Sequence, residues 1–367
     1  MSTTDSKNPA LKEIFNRERL RHIAEETQAV YPAFARQRFL KLASAGLDEL
    51  SIMQRLARVS ESLHATLPVD FPAALAILYD LAPRLNSAFV TLCLPHYVAT
   101  YGREQAELSL QALRYFTCFG SAEFAIRQFL LQDLHGTLAY MREWAHDDNE
   151  HIRRLASEGC RPRLPWSFRL AALQAEPMLA WPILEALKAD PSLYVRRSVA
   201  NHLNDISKDH PDLLLEQLER WSSADPRTAW IIRHALRSLI KQGNRRALAL
   251  VGAGEPAQVQ LNALQVTPQT LQLGHSMTLA FTLKSTSTAT QRLVVDYAID
   301  YVKASGSTAT KVFKLKTLDL PAGAQVVLSR SQAIRELTTR KHYYGHHAVH
   351  VLVNGERLAT TGFDLLP

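Results

Sequence analysis

The chain has 367 residues, of which 47% are hydrophobic and 21% are charged, and its net charge is +7. This length allows two domains that each bury a core, and the composition is that of a globular protein, which excludes wholesale disorder. The positive charge favours an acidic partner, and nucleic acid is favoured over a membrane because no lysine-rich amphipathic segment, lipidation motif, secretion signal or transmembrane-length apolar run occurs. We therefore expect a cytoplasmic protein with no membrane partner.

The cysteines and histidines carry no metal signature. Cys93, Cys118 and Cys160 form no close pair, which argues against both a disulfide framework and a zinc site. The histidines show no metal-ligand spacing, and no Gly-rich phosphate loop or Ser-His-Asp order stands out. The sequence therefore predicts neither a metal nor an organic cofactor.

Up to about residue 250 the pattern is helical throughout. Segments such as FPAALAILYDLAPRL and EQAELSLQALRYFTCF place apolar residues at three- and four-residue spacing, and short breaks with Pro, Asp or Gly separate them. Asp190-Pro191 and Asp225-Pro226 each predict a helix N-cap followed by Pro at the first helical position.

Three segments of this helical part resemble one repeated unit: 149–158, 190–206 and 225–242. Ile152-Arg153-Arg154 aligns with Val195-Arg196-Arg197 at a spacing of 43 residues, and Arg196 aligns with Arg233 at 37. Both spacings are close to the period of HEAT or armadillo repeats, in which helix pairs stack to bury their cores. We expect an α-solenoid over residues 1–254.

After GAGEPAQ, at residues 252–258, the chain alternates polar and apolar residues. Seven short runs end at residue 366, separated by turn residues that include Gly274, Gly306 and Asn354-Gly355. About seven strands in some 110 residues predict an immunoglobulin-like or fibronectin-like sandwich over residues 258–367. The fold class is thus multidomain, with a helical-repeat domain and a β-sandwich.

Charged residues follow one face of each repeat. Beside the apolar positions 195, 199, 203 and 206, a second stripe holds Arg197, Asn201 and Asp205, while Arg154 and Glu158 stand one turn apart in the preceding repeat. Stacked repeats would merge these stripes into a basic trough containing two carboxylates, suited to the phosphates of a nucleic acid. Alternatively, each Arg–Glu pair is a solvated surface ion pair.

Three motifs resemble one known family. SAEFAIRQF at 121–129, NEHIRRLASEGCRPRLPW at 149–166 and VRRSVANHLNDISKDHP at 195–211 are similar to motifs of the AlkC branch of the AlkC and AlkD alkylbase DNA glycosylases, which are built from HEAT-like repeats. A subset of AlkC proteins also carries an immunoglobulin-like domain, so the resemblance extends over the whole chain. It implies hydrolysis of the N-glycosidic bond of cationic bases such as 3-methyladenine and 3-methylcytosine, without flipping the lesion.

Carried over by motif, the resemblance gives the candidate catalytic residues Glu123, Arg154, Glu158, Trp166 and Asp205. A cationic base is already a good leaving group, so carboxylates need only stabilise an oxocarbenium-like sugar and position water. The aromatic face of Trp166 could contribute about 0.5–2 kcal/mol against the cationic lesion. Other interpretations stay open: Glu123 as a first-turn charge and Trp166 as a core anchor between repeats.

The implied partner is double-stranded DNA with alkylated bases, bound by a bacterial, cytoplasmic monomer. Predicted DNA-binding residues are basic and lie in the repeats and in the cluster TTRKHYYGHH: Arg153, Arg161, Arg163, Arg196, Arg197, Lys208, Arg233, Arg237, Lys241, Arg340, Lys341 and His342. Trp144 and Asp148 match the Trp-x-x-x-Asp pattern of AlkD, but we interpret Trp144 as core and Asp148 as a helix cap. The alternative function is a non-enzymatic HEAT-type scaffold that binds nucleic acid or protein.

Overall fold

The computed structural model of the chain describes residues 11–336 and 341–367. Contacts between residues divide the chain into two compact units, Met1–Ile206 and Ser207–Pro367, each described here by itself. No helix in the described residues has the length and apolarity needed to cross a membrane.

The first unit is helical. Its α-helices are α1 Arg17–Val30, α2 Arg36–Ser44, α3 Ile52–His64, α4 Phe71–Leu81, α5 Ala88–Thr91, α6 Cys93–Tyr101, α7 Ala106–Phe116, α8 Ile126–Gln132, α9 Leu134–Trp144, α10 Glu150–Gly159, α11 Ala171–Ala175, α12 Trp181–Ala186 and α13 Leu193–Ile206. Short 3-10 helices cover Leu11–Phe15, Leu47–Glu49, Ala82–Arg84 and Pro177–Ala180.

Helices of this unit begin where polar side chains cap the backbone. Asp70 accepts a hydrogen bond from the backbone of α4, Asp133 caps α9, and Asn149 caps α10 by accepting from the His151 amide at 2.9 Å. The interpretation of Asp148 as the cap was therefore wrong by one residue, whereas Trp144 is only 5% exposed and lies in the core as predicted.

The repeat at a spacing of 43 residues recurs at the level of single contacts. Arg153 Nη1 donates to the carbonyls of residues 147 and 148, and Arg196 Nη1 donates to those of residues 190 and 191. Donor and acceptors are all displaced by 43 positions, and the two helices that carry them, α10 and α13, pack against each other. Each arginine thus ties its helix to the backbone of the turn that precedes it.

One predicted helix start differs. The helix α13 begins at Leu193, two residues after Pro191, and at its start the Tyr194 amide donates to Ser192 Oγ at 3.2 Å. Asp190 accepts from the Ser192 amide at 2.8 Å and also pairs with Arg153 Nε at 2.7 Å. By contrast, Asp225 caps the next repeat's helix and Pro226 follows it at the first helical position, as predicted.

Among its described residues, the second unit contains four helices and the strands. They are α14 Pro211–Glu219, α15 Pro226–Ala235, α16 Arg237–Lys241 and α17 Arg245–Leu250, then β1 Val259–Thr267, β2 Thr270–Gln272, β3 Ser276–Ser285, β4 Gln291–Val302, β5 Thr308–Leu320, β6 Gln325–Ala333, β7 Gly345–Val353 and β8 Glu356–Leu366. The predicted boundary near residues 254–258 falls between α17 and β1, and it stays a prediction because the compact units divide at residue 206.

The strands form two sheets with the orders β1-β3-β6 and β2-β8-β7-β4-β5. This arrangement confirms the predicted sandwich, and its shared core includes Phe281, Tyr297 and Phe363. The predicted turn at Asn354-Gly355 joins β7 to β8, and both residues have positive φ angles, 47° and 79°. On β4, Val294, Asp296 and Ala298 are also buried, so this strand is covered on both faces.

Candidate active site

Arg154 connects two of the predicted carboxylates. From α10, its Nη1 atom donates to Ser121 Oγ at 2.7 Å and to the carboxylate of Glu123, in the turn before α8. Its Nη2 atom lies 3.6 Å from Glu158 Oε1, one turn later on the same helix. The motif around residue 121 and the motif around residue 154 therefore meet in space.

Arg161 connects the third carboxylate to the second. Its Nη1 atom donates to Glu158 Oε1 at 2.7 Å, and its Nε atom donates to Asp205 Oδ2 at 2.9 Å, near the end of α13. Glu123, Arg154, Glu158, Arg161 and Asp205 thus form one continuous chain of ion pairs, which we call the carboxylate network.

The carboxylate network is buried. Side-chain exposure falls from 13% for Glu123 and Arg154 to 8% for Glu158 and 2% for Asp205. The interpretation of the Arg154–Glu158 pair as a solvated surface contact was therefore wrong. Glu123 also lies outside the first turn of α8, and its carboxylate is paired with an arginine, which argues against the interpretation as a dipole charge.

The network sets the charge of Glu158. Burial alone would raise the pKa of this carboxyl, but the guanidinium groups of Arg154 and Arg161 outweigh it and hold the pKa below its usual value. Burial likewise opposes the charge of Arg161, but Glu158 and Asp205 raise its pKa. Glu158 is therefore an anion at neutral pH and can act as an electrostatic stabiliser, but not as a general acid.

Neutral polar groups back the network. Ser198 Oγ donates to Ser157 Oγ at 3.1 Å, and His202 Nδ1 lies 3.0 Å from the Ser157 carbonyl oxygen. His202 has no exposed surface, and burial lowers its pKa to about 4, so it is neutral at pH 7. Burial raises the pKa of Cys160 to about 12, which makes this thiol inert.

Trp166 lies on the surface beside the network. It is 65% exposed and its φ angle is 65°, in the left-handed region that L-residues rarely adopt. The interpretation as a core anchor was wrong. With Ser167 and Phe168, Trp166 borders a cavity of about 340 Å³, whose wall also includes Ser121.

Tyr194 is a neighbour of the network that the sequence analysis missed. It is 38% exposed, and the Cζ atom of Arg154 lies 5.1 Å from the centre of its ring. Its position in the sequence is conspicuous, because this aromatic residue directly precedes Val195-Arg196-Arg197. Its contact with the preceding repeat, however, depends on how two helices pack, which the sequence of one helix does not show. The ring provides an aromatic surface near Glu123 and Glu158, and burial together with these carboxylates raises the pKa of the Tyr194 hydroxyl.

The structure separates the predicted DNA-binding residues of the first unit into two groups. Arg153 and Arg161 hold carboxylates and backbone carbonyls, and Arg196 closes a repeat, so their contacts favour a structural role. Arg197 is exposed on α13, and Arg163 is half-buried in the segment after α10.

In the second unit, three predicted residues lie against the sandwich. Arg233, Arg237 and Lys241, on α15 and α16, border a small cavity of about 50 Å³ together with Asp296 of β4. Although α15 and α16 are separate helices, all three side chains border this one cavity, on the side of the sheet. Lys208 is exposed before α14.

The basic cluster of the sandwich is described in part. Arg340 lies outside the described residues. Lys341 is exposed and borders a cavity of about 480 Å³ with Lys303, Lys311 and Tyr343, whereas His342 is only 8% exposed and packs against Tyr301. The contacts of Lys341 suit an interaction surface better than those of His342.

Comparison with known proteins identifies the family. The solved structure of the alkylpurine DNA glycosylase AlkC of Pseudomonas fluorescens, bound to DNA containing an abasic site analog, is 65% identical, covers 98% of this chain and 100% of its own, and superposes with a TM-score of 0.95. The chain belongs to the AlkC family of alkylpurine DNA glycosylases.

Two family models agree with this membership. The model described as "DNA alkylation repair enzyme" matches residues 96–239, and the model of the YhaZ C-terminal Ig-like domain matches residues 260–367. The uncharacterized protein YhaZ of Bacillus subtilis (strain 168) is 43% identical over 94% of this chain and 96% of its own length. The resemblance of the three motifs to AlkC is thereby confirmed, as is the expectation of a DNA repair glycosylase.

Proposed function

We propose that this AlkC protein removes cationic N-alkylated bases, such as 3-methyladenine and 3-methylcytosine, from double-stranded DNA by hydrolysing the N-glycosidic bond. The AlkC structure from Pseudomonas fluorescens was solved with DNA containing an abasic site analog, a mimic of the product of such a reaction. The protein acts as a monomer in the bacterial cytoplasm, where genomic DNA lies. The single observation that carries this proposal is the carboxylate network.

The charge of the network suits a cationic substrate. When all five side chains are ionised, three carboxylates and two guanidinium groups leave one net negative charge. Because a cationic base leaves as a neutral molecule, positive charge moves onto the sugar in the transition state, and nearby carboxylates stabilise it. Fixed, buried partners strengthen this effect because little water screens them.

The aromatic residues flank this charge. Trp166 and Tyr194 are both exposed; the ring of Tyr194 lies against Arg154, and Trp166 shares a cavity wall with Ser121, which accepts from Arg154. In this proposal Trp166 contacts the cationic base or the deoxyribose, an interaction of about 0.5–2 kcal/mol. Tyr194 covers Arg154 and keeps its guanidinium directed at Glu123.

The position of the cavity beside Trp166 supports a reaction without base flipping. Among the described residues that line it, none is Glu123, Glu158 or Asp205. A base inserted into this cavity would contact Trp166 and a mixed lining that includes Arg103 and Gln128, away from the carboxylates of the network. We therefore propose that the lesion is approached in the DNA by the Glu123 and Arg154 end of the network, which is its least buried part.

The test measures base release from a duplex oligonucleotide that contains a single 3-methylcytosine. Glu158→Gln and Asp205→Asn should each slow release by at least about 10-fold, while DNA affinity changes little, because the carboxylates act on the transition state. Glu185→Gln is the matched control, since that carboxylate pairs with Lys188 on a partly exposed helix surface.

Two results would count against the proposal. Wild-type rates in both network variants would move the reaction to another site. DNA binding by the wild type with no release of 3-methylcytosine or of methylated adenine would favour the scaffold interpretation instead.

A further inference from the structure

Arg127 is a buried cation behind the candidate active site. It lies on α8, within the motif at 121–129, and has no exposed surface. Its Nη1 atom donates to the carbonyl oxygens of Gly159 at 3.0 Å and Arg161 at 2.7 Å, and its Nη2 atom donates to that of Phe168. Its Cζ atom also lies 5.2 Å from the centre of the Phe168 ring.

These three acceptors enclose one short segment. It begins at the end of α10, where helical carbonyls lack partners within the helix, and a cation there is favourable to the helix dipole. The segment closes on itself through the Leu170 amide, which donates to the Pro162 carbonyl at 3.2 Å. Between these contacts lie Arg161, which holds two carboxylates of the network, and Trp166.

The charge of Arg127 is balanced by the backbone. Within residues 11–336 and 341–367, no carboxylate lies within ion-pair distance of it, and its Nε atom is buried without a hydrogen-bond partner. Burial lowers the pKa of this guanidinium to about 10, so it stays charged at neutral pH. A buried charge of this kind is costly, and the three carbonyl oxygens that accept from Nη1 and Nη2 offset part of that cost.

We propose that Arg127 is a positioning residue of the excision reaction: its planar guanidinium fixes the segment 159–168, so that Arg161 and Trp166 keep the geometry that the carboxylate network requires. This inference depends on the proposed function. Only an arginine presents a planar fork of donors to several carbonyls at once, so lysine, with one ammonium group on a flexible stem, cannot replace it.

Arg127→Lys is the test, and the chain offers a matched control in Arg55. Arg55 is 1% exposed and its guanidinium also donates to three backbone carbonyls, those of residues 12, 15 and 50, none of which belongs to the site. Single-turnover base release, DNA affinity and thermal unfolding are measured for both lysine variants.

We expect both variants to unfold at a lower temperature. Arg127→Lys should also slow single-turnover release by about 10-fold or more with at most a small change in DNA affinity, because it misplaces groups that act in the transition state. Arg55→Lys should keep the wild-type rate.

A second readout requires no turnover. Acrylamide quenching of Trp166 fluorescence, taken as the difference from a Trp166→Phe protein, should increase in Arg127→Lys because the segment is no longer fixed, and should be unchanged in Arg55→Lys. If Arg127→Lys fails to fold, Phe168→Leu is the substitute variant, because Phe168 is 37% exposed and its ring stacks on Arg127. Phe168→Leu should likewise increase the quenching of Trp166 and slow base release.

Equal rates and equal quenching for the two lysine variants would overturn the inference. Absence of base release from the wild type would instead refute the proposed function, and the quenching comparison would then decide on the positioning role alone. Where Phe168→Leu is the variant tested, unchanged quenching of Trp166 together with a wild-type rate of base release would also contradict the positioning role of Arg127.

Discussion

At the scale of single residues, two neighbouring arginines of α13 have different surroundings. Arg196 donates to the carbonyls of residues 190 and 191 and closes the start of its repeat. Arg197, one position later, points to the exposed side of the helix. Helical periodicity places adjacent side chains about 100° apart, so a pair of identical residues can serve structure and DNA binding separately.

Arg197→Ala should weaken binding to undamaged duplex DNA and make the dependence of log Kd on log salt shallower by about 1, because one phosphate contact is lost. Its thermal unfolding should stay close to wild type. Arg196→Ala is the matched variant and should mainly lower the unfolding temperature. Fluorescence anisotropy across a salt series checks both, and an unchanged salt slope in Arg197→Ala would remove this residue from the interface.

At the scale of elements, the site is built on the packing of α10 against α13. Glu158 comes from the first helix and Asp205 from the second, and Arg161 joins them across the interface. A further tie, from Arg153 to Asp190, holds the start of the second repeat against the first. The register between these two helices therefore fixes the distance between two carboxylates.

Asp190→Ala should destabilise the protein by about 2–4 kcal/mol, because Arg153 keeps its charge in a largely buried position and loses its partner. Arg153→Ala should have a similar effect, and the double variant should be less destabilised than the sum of the two. Urea unfolding of the four proteins measures this coupling. Strict additivity would show that the two side chains act independently.

Sequence patterns predicted elements whose signals are local. The apolar stripe at 195, 199, 203 and 206 is buried as predicted, and the seven alternating runs became β1 and β3 to β8. The strand β2 was missed because three residues, Thr270–Gln272, are too short to show alternation. The start of α13 was misplaced by two residues, since Ser192 rather than Asp190 accepts from the first turn of the helix.

The candidate site was predictable in part for the same reason. Motif resemblance identified the carboxylates and Trp166, but the bridging role of Arg161 depends on Asp205, 44 positions away. Arg127 was visible as a charge among the apolar residues of α8, yet its acceptors lie 32 to 41 positions further along the chain. Contacts of this range are set by packing between repeats, which no single-helix pattern records.

At the scale of the whole molecule, Asp296 is a buried carboxylate on β4 that borders a small cavity together with residues of α15 and α16. Its side chain is accompanied by five cationic residues around the same small cavity: Arg233, Arg237, Lys241, Arg292 and Lys314. Burial nevertheless raises its pKa to about 6, more than Lys241 and Lys314 lower it. The attachment of the last helices to the sheet therefore carries a group that titrates near neutral pH.

The folded state binds a proton at Asp296 more tightly than the unfolded chain does, since the pKa is raised from 3.8 to about 6. The free energy of unfolding should therefore fall as the pH rises between about 4 and 6. Asp296→Asn removes this loss and should be more stable than wild type by up to about 3 kcal/mol at pH 7, with little difference at pH 4.

Urea unfolding of wild type and Asp296→Asn at several pH values measures this difference. Asp319→Asn is the matched control on the neighbouring strand, because that carboxylate forms an exposed pair with Arg292. A stability difference that does not change with pH would show that Asp296 keeps an ordinary pKa.

The backbone of Trp166 has a consequence for how the protein tolerates change. A left-handed conformation destabilises the folded state by about 1 kcal/mol for an L-residue. Because the indole is exposed, burial of its apolar surface offsets little of this loss. Asparagine adopts this conformation more readily, so selection for thermostability alone would drive Trp166 out of the chain. Its retention would mark a trade-off between stability and activity, in which selection for base excision opposes selection for the most stable fold.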